Sequence, residues 1–197
     1  MPRERREIQK EDIMPLDVYI KNRKELRKNI VSFKKNRRIA LGPYATFYFE
    51  SYETMLAQVQ EMLYIEKGGD EQLKDELIAY NSLVPNGKEL TATLMFEIDN
   101  PISRAAFLSK VGGIEEKVFI RIDDELVKAI PEKDVDRTSA EGKASSVQFI
   151  HFKFSDELIQ KFKSDGAEVE IEIDHKEYSH ATKLSSSNLS SLSADFS

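Results

Sequence analysis

The chain has 197 residues, no cysteine and a net charge of −6, and its hydrophobic (40%) and charged (32%) contents are those of a globular protein. The lack of cysteine excludes disulfides, thiolate nucleophiles and cysteine-bound zinc or iron–sulfur clusters. No apolar run approaches the ~18–20 residues of a membrane span, and the charged N-terminus has no secretory core, so we expect a cytoplasmic protein without a membrane partner. The length predicts one domain over residues 12–197, after a frayed segment at residues 1–11.

The charge is unevenly distributed. Residues 1–38 hold 13 Lys and Arg against 6 Asp and Glu, a balance of +7, which leaves 16 against 29, or −13, for the rest of the chain. Nucleic-acid binding is not favoured, because the basic segment has no interleaved aromatic residues, no Gly-rich arm and no recognition motif. We expect the basic segment to lie against the acidic body of its own chain or of a partner. The sequence leaves open whether the protein forms a homo-oligomer.

Apolar spacing predicts three helices and a hairpin in the first 80 residues. The first helix runs from Pro15 to Lys35 on a stripe interrupted by Arg23, and its other faces are rich in lysine and arginine. The turn at 42–43 then joins two short strands, the second of which is aromatic. The period changes at Tyr52, where a core-facing helix begins that ends at the glycines 68–69, and a third helix follows to Tyr80.

The remainder of the chain alternates strand and helix signals. We predict strands at 90–98, 118–122, 126–130, 147–154 and 169–173, helices at 101–111 and 156–165, a polar loop at 132–144 and a short docking helix after residue 185. Together these elements predict a single α+β domain with a mixed, mainly antiparallel sheet of about six or seven strands. Helices pack on this sheet, and a long basic helix stands at the N-terminus.

The histidines carry the only chemistry that the residues suggest. His151 lies in the penultimate predicted strand, and Asp174, His175 and His180 follow the last one. Imidazole and carboxylate groups bind iron, zinc or manganese, so these four residues are a candidate metal site. If the strands at 147–154 and 169–173 are parallel, His151 and His175 share one rim of the sheet, and if the strands are antiparallel the two separate. We expect His175 and His180 to meet each other with His151 or with a carboxylate such as Glu97.

Several motifs resemble one family of bacterial proteins, the domain of unknown function 3501. They are DIMPLDVYIKNR, KKNRRIALGPYATFYFESYETM, QVQEMLYIEKGG, YNSLVPNGKELTATLMFEID, GKASSVQFIHF and IDHKEYSH, and they extend from about residue 10 to the end of the chain. The positions that carry the resemblance are Gly42, Pro43, Thr46, Phe47, Glu50, Glu61, Glu66, Asn86, Gly87, Glu97, Asp99, Gly142, Lys143, Ser145, His151, Asp174, His175 and His180.

The resemblance implies a redox or oxidative-stress context, because such proteins are often encoded beside rubrerythrin-like and heterodisulfide-reductase-like iron–sulfur proteins. No Walker, dinucleotide, nucleophile-elbow or zinc-protease motif is present. We therefore expect an accessory or partner-binding protein whose basic helix docks a redox protein of the rubrerythrin or iron–sulfur type. The alternative is a metal-binding protein or enzyme that uses the His and Asp residues near the last strand.

Overall fold

The computed structural model describes residues 4, 6–132, 139 and 142–197. Within them the α-helices are α1 (Leu16–Lys34), α2 (Tyr52–Glu66), α3 (Gly69–Asn81), α4 (Pro101–Leu108), α5 (Asp156–Lys163) and α6 (Ser186–Ser193). The strands are β1 (Arg38–Leu41), β2 (Ala45–Phe49), β3 (Glu89–Phe96), β4 (Val118–Ile122), β5 (Glu125–Pro131), β6 (Val147–Lys153), β7 (Val169–His175) and β8 (Tyr178–Lys183). Over these ranges no helix combines the length and the apolar character needed to cross a bilayer.

All eight strands form one sheet in the order β1-β2-β3-β6-β5-β4-β7-β8, and every neighbouring pair is antiparallel. The sheet curls until its two edges meet. Side chains of β8 bridge the gap to the first hairpin: the Tyr178 hydroxyl donates to the Leu41 carbonyl and accepts the Ala45 N–H at 2.9 Å. The result is a near-closed barrel whose seam, between β1 and β8, is held by side chains.

The core fills the inside of this barrel because most of the strands alternate an inward apolar residue with an outward one. Phe47, Phe49, Phe152 and Phe162 are among its largest fully buried side chains. A second, smaller cluster lies outside the sheet, where α2 and α3 cover the outer face near β6. It consists of Ile8, Tyr52, Met55, Val59, Leu73, Leu83 and Val84, with Phe149 of β6 packed against it.

A group that we call the C-terminal clasp fastens α6 to the start of the sheet. It is built on Arg37, which forms a buried ion pair with Asp195 and donates to the carbonyl oxygens of Phe49, Glu50 and Ser191. The side chains of Arg37 and Asp195 are only 2% and 3% exposed. Because a buried charge is stable only when it is paired and hydrogen-bonded, these contacts explain how the guanidinium can lie inside the fold.

The predicted α+β class, the packed helices and the long basic N-terminal helix are confirmed. The sheet differs in two respects: it has eight strands, all antiparallel, and the predicted last strand is followed by β8, which turns 174–180 into a hairpin. Within the segment expected to fray, Ile8 is buried, and its backbone N–H and carbonyl both bond to the Asn81 side chain. Of the predicted loop at 132–144, residues 133–138, 140 and 141 lie outside the described part of the chain.

Candidate functional site

Helix α1 is attached to the molecule along one narrow stripe. Tyr19 is its one buried residue, and the side chains that share its face, at positions 23, 26, 30 and 33, are only partly buried. The spacing of three and four residues places them in line above α2. The rest of α1 faces solvent, so this helix covers the body without being enclosed by it.

A cluster of Tyr19, Arg23 and Glu61 joins α1 to α2. The Tyr19 hydroxyl donates to one carboxylate oxygen of Glu61 at 2.6 Å, and the Arg23 guanidinium binds both oxygens. Arg23 also lies over the ring of Tyr64, 4.4 Å from its centroid. Burial and the bond to Glu61 raise the pKa of Tyr19 to about 12, and the bond from Arg23 lowers the pKa of Glu61. Glu61 therefore stays charged and hydrogen-bonded to Tyr19 and Arg23.

A groove of about 650 Å³, which we call the α1–α2 groove, runs beside this cluster. Its floor is apolar, and its rims carry charged and amide groups. The lining residues are Asp12, Met14, Tyr19, Leu26, Arg27, Asn29, Ile30, Val31, Phe33, Lys34, Glu53, Leu56, Ala57, Gln58, Gln60 and Glu61. A volume in this range, an apolar lining and a few convergent polar groups are the usual properties of a binding site.

The outer face of α1 combines unpaired cations with exposed apolar side chains. Ile20 is 52% exposed and Val31 is 68% exposed, and they share one face with Lys24 and Arg27 at steps of four and three residues. Over the described ranges, five cations of α1 are not within ion-pair distance of a carboxylate, namely Lys21, Lys24, Arg27, Lys28 and Lys34. The helix as a whole has six Lys and Arg against two Asp and Glu, for +4.

The position of α1 partly answers the question of where the basic segment lies. It contacts its own body through the Arg23–Glu61 pair, but most of its charge points away from the body. Cations that have no internal partner keep their long-range field, which attracts and orients anionic surfaces. The α1–α2 groove and the outer face of α1 therefore combine an apolar surface with exposed positive charge.

His151 is held between two carboxylates on the outer face of the sheet. Its Nδ1 lies 3.4 Å from Glu89, at the start of β3, and its Nε2 lies 3.3 Å from Glu132, just after β5. Burial lowers the pKa of His151, but the hydrogen bonds and charges of Glu89 and Glu132 outweigh this effect, so its pKa is raised above the ordinary value. The imidazolium thus links three neighbouring strands.

The other predicted site residues lie elsewhere. Strands β6 and β7 are separated by β5 and β4 and run in opposite directions, so the parallel arrangement that would place His151 and His175 at one rim does not occur. His175 ends β7, where its Nδ1 accepts the Glu177 N–H at 3.2 Å. The ring of His180 packs 4.5 Å from that of Tyr178. Asp174 and His180 do lie near each other, since both line a cavity of about 320 Å³ together with Arg121 and Glu172.

No group of three or more His, Asp or Glu residues that could hold a metal ion occurs among the residues described by the structure. Iron, zinc or manganese binding by His151, Asp174, His175 and His180 stays a prediction. Metal analysis of the protein purified without chelator tests it. Near-stoichiometric metal that falls in a His180→Ala variant would support the site, and a metal-free protein would contradict it.

Two further carboxylates in the motifs have local partners. Glu50 is buried, and its oxygens accept from the hydroxyls of Thr54 at 2.6 Å and Thr93 at 2.9 Å. Glu97 accepts from the hydroxyls of Thr46 and Tyr48, and these bonds lower its pKa. These partners of Glu97 belong to β2. They are not His175 or His180, the histidines that were predicted to meet a carboxylate such as Glu97.

Sequence reasoning missed Glu89 and Glu132, the partners of His151. Glu132 stands in none of the quoted motifs, and Glu89 stands in one without a signal that links it to a histidine. Only the register of β3, β5 and β6 brings the two carboxylates to the imidazole. The α1–α2 groove was also missed, although one signal pointed to it. The apolar stripe of the first helix is interrupted at Arg23, which is the residue that pairs with Glu61.

The fold and the site define a class: a single-domain, near-closed antiparallel barrel that carries a helical layer with a basic outer helix and a groove beside it. The sequence matches the model of the family described as protein of unknown function (DUF3501) over residues 7–196, and the chain belongs to that family. It is also similar to a solved crystal structure, a novel protein of unknown function from Burkholderia pseudomallei K96243. The two chains share 35% identity with a TM-score of 0.89, over 96% of this chain and 99% of the other. No curated protein matches the sequence.

Proposed function

We propose that this protein is an accessory protein that docks an acidic partner on α1 and the α1–α2 groove. The observation that carries the proposal is a set of five cations on α1, next to exposed apolar side chains, that lie beyond ion-pair distance of every carboxylate in the described part of the chain. A helix whose only task was to cover the sheet would gain stability from pairing such charges or from burying such side chains. Over most of α1, neither the pairing of charges nor the burial of apolar side chains occurs.

The class of partner comes from the resemblance alone. Because similar proteins are often encoded beside rubrerythrin-like and heterodisulfide-reductase-like proteins, we propose a redox or oxidative-stress context, with a rubrerythrin-type or iron–sulfur protein as the partner. Docking between a basic and an acidic surface suits such partners, since electrostatic steering speeds association and permits a short-lived complex.

Affinity purification with two matched triple variants tests this proposal. The test variant is Lys24→Glu/Arg27→Glu/Lys28→Glu on α1. The control is Lys110→Glu/Lys117→Glu/Lys176→Glu, whose three exposed lysines lie neither on α1 nor in the groove. Each set changes the net charge by −6, from −6 to −12, so the two variants differ only in where the charge was changed.

We expect the tagged wild-type protein, expressed in its native host, to recover a rubrerythrin-type or iron–sulfur protein at low salt and to lose it at high salt, because mobile ions screen exposed charges. The α1 variant should recover at least tenfold less of that protein, while the control should recover as much as the wild type. Equal recovery by both variants would remove α1 as the docking surface. Repeated purifications at low salt without any redox protein would remove the redox context.

A further inference from the structure

We infer that the occupant of the α1–α2 groove is an amphipathic α-helix of the partner, with one apolar stripe and an acidic flank. This inference rests on the proposed function, and it specifies the structural element that the partner contributes. It follows from the walls of the groove, from its length and from the distribution of charge along its rims.

The walls of the groove are the helices α1 and α2, whose backbone N–H and carbonyl groups are already used within each helix. An extended peptide binds either by adding a strand to an exposed sheet edge or as a polyproline II segment in a groove lined by aromatic rings. This groove has no sheet edge, and the apolar side chains that line it are mainly aliphatic. An occupant must therefore satisfy its own backbone hydrogen bonds, because polar groups that are buried without partners are costly. An α-helix meets this requirement.

The dimensions of the groove agree with a helix. Its α1 wall runs from Tyr19 to Lys34, about 22 Å at 1.5 Å per residue, which corresponds to roughly four turns of a bound helix. The floor offers Leu26, Ile30 and Ala57 as a continuous apolar surface. Helices that bind in grooves place side chains at i, i+3, i+4 and i+7 on such a surface.

The rims determine the charge of the occupant. On the α1 rim, Arg27 and Lys34 line the groove without a paired carboxylate among the described residues. Three carboxylates also line the groove, and each is engaged within the chain. Glu61 is bonded to Arg23 and Tyr19, Asp12 accepts the Gln9 N–H, and Glu53 likewise has an interaction of its own. The field that an entering helix meets is therefore positive on the α1 side, which favours Asp and Glu on the flank that faces α1.

A second copy of this chain does not offer such a helix. Its α1 carries the same cations, and like charges brought together in an interface repel. Its α3 is acidic, but Leu73 and Leu77 on the apolar side of α3 are already packed in the outer cluster. The apolar sides of α2 and α5 are likewise packed in the two clusters, and α4 and α6 contain no Asp or Glu. The occupant therefore comes from another protein.

The experiment selects binders from a displayed library of helical peptides with randomised surface positions, using the full-length protein as the target. A parallel selection uses Ala57→Trp, which fills the groove with an indole ring. Its matched control is Ala79→Trp, at an exposed position of α3 that does not line the groove. Val31→Glu is a second groove variant, and it leaves the fold intact because this side chain is 68% exposed.

We expect the enriched peptides to carry apolar residues at i, i+3, i+4 and i+7 with Asp and Glu beside them. They should bind Ala57→Trp at least tenfold more weakly and Val31→Glu at least fivefold more weakly than the wild type, and Ala79→Trp with unchanged affinity. Their circular dichroism should become more helical on binding. Circular dichroism of the variants alone verifies that each is folded.

Three outcomes would overturn the inference. The enriched peptides could lack helical periodicity, or they could bind Ala57→Trp as well as the wild type. Sedimentation could also show that the wild-type protein alone is a dimer that Ala57→Trp dissociates, in which case a second copy occupies the groove. If acidic peptides lose affinity for the Lys24→Glu/Arg27→Glu/Lys28→Glu variant but not for Ala57→Trp, the helix inference fails while docking on α1 stands.

Discussion

Arg37 and Arg23 both bind a carboxylate, but their surroundings differ. In the C-terminal clasp, Arg37 and Asp195 are almost fully buried, and three backbone carbonyls accept further hydrogen bonds from the guanidinium. Between α1 and α2, the side chains of Arg23 and Glu61 remain 27% and 23% exposed. The clasp uses its charge to close the fold, whereas α1 keeps most of its charge at the surface.

The regions around the two arginines differ in the same way. In the barrel, the polar side chains of the seam and of His151 are tied to partners on other strands. On α1, cations and apolar side chains remain open to solvent. The barrel thus engages its polar groups internally, whereas α1 leaves cations and apolar side chains at the surface, so substitutions should affect the stability of the two regions differently.

The largest effect is expected at the clasp. Replacing Arg37 with Met removes the ion pair with the buried Asp195 and three hydrogen bonds to carbonyls, so the free energy of unfolding should fall by about 3–5 kcal/mol. Urea denaturation followed by circular dichroism measures this change. In the double variant Arg37→Met/Asp195→Leu the loss should be smaller, because the buried carboxylate is removed together with the guanidinium that bound it. A loss under about 1 kcal/mol for Arg37→Met would contradict the stabilising role that we assign to the clasp.

His151 should make the stability of the barrel depend on pH. Because the folded-state pKa of His151 is raised, its contribution is fully present below the ordinary pKa of about 6.5 and is lost as the pH rises through the folded-state pKa. A His151→Gln variant should be about 1.5–3 kcal/mol less stable than the wild type at pH 5.5, as expected for hydrogen bonds between charged groups. The difference should shrink at pH 8.5.

Urea denaturation of both proteins at pH 5.5, 7.0 and 8.5 isolates this effect, since the other titrating groups are common to the two. A difference that grows with pH would show that the imidazole is held in its neutral form, contrary to the two carboxylates that face it.

The turn at Gly42 tests the seam of the barrel. Its φ of +62° is strained for other residues, and a Cβ atom there would lie 2.6 Å from the His180 ring and 2.8 Å from the Tyr178 hydroxyl. Gly42→Ala should cost about 1–3 kcal/mol in the free energy of unfolding. Gly166→Ala is the matched control, because its φ of +87° is also positive while its surroundings are open. Thermal denaturation that shows equal losses for the two variants would mean that the seam yields to the added methyl group.

The smallest effect is expected on α1. Arg23→Met removes a partly exposed ion pair while Glu61 keeps its bond to Tyr19, so the free energy of unfolding should fall by under about 1 kcal/mol. Urea denaturation beside Arg37→Met gives the comparison directly. A loss as large as that of Arg37→Met would show that α1 is held by charge and is part of the stable body.

Much of the fold could be predicted because helices and strands with one buried face have a regular apolar period. The helix predicted from Pro15 to Lys35 is observed at Leu16–Lys34, and the helix that starts at Tyr52 is observed at Tyr52–Glu66. The alternation at 90–98 likewise corresponds to Glu89–Phe96.

Strand β8 escaped prediction for a physical reason. Of its six residues only Tyr178 is buried, since β8 stands at an edge of the sheet and most of its side chains face solvent. Without alternation of buried and exposed apolar residues, a strand leaves no period in the sequence. The hairpin of 174–180 therefore resembled a loop with two free histidines.

The candidate sites depended on contacts that no local pattern records. Strand β6 lies between β3 and β5, so Glu89 reaches His151 from 62 positions away. The shape of the groove depends on the angle at which α1 packs on α2, and a local sequence pattern does not give this angle. The interruption of the stripe at Arg23 indicated a polar contact on the buried side, but it could not identify Glu61 as the partner.

The way in which the barrel closes has a consequence for how the protein is made. The contacts that complete the seam and the clasp join residues far apart in the chain: Tyr178 to Leu41 over 137 positions, and Arg37 to Asp195 over 158. A ribosome delivers the first hairpin long before the residues that cover it. Until the last strand and α6 emerge, β1 has an unprotected edge, which is a template for wrong pairing. Completion of the barrel therefore depends on β8 and α6, and chaperones that shield exposed strands should matter most until these two elements have emerged.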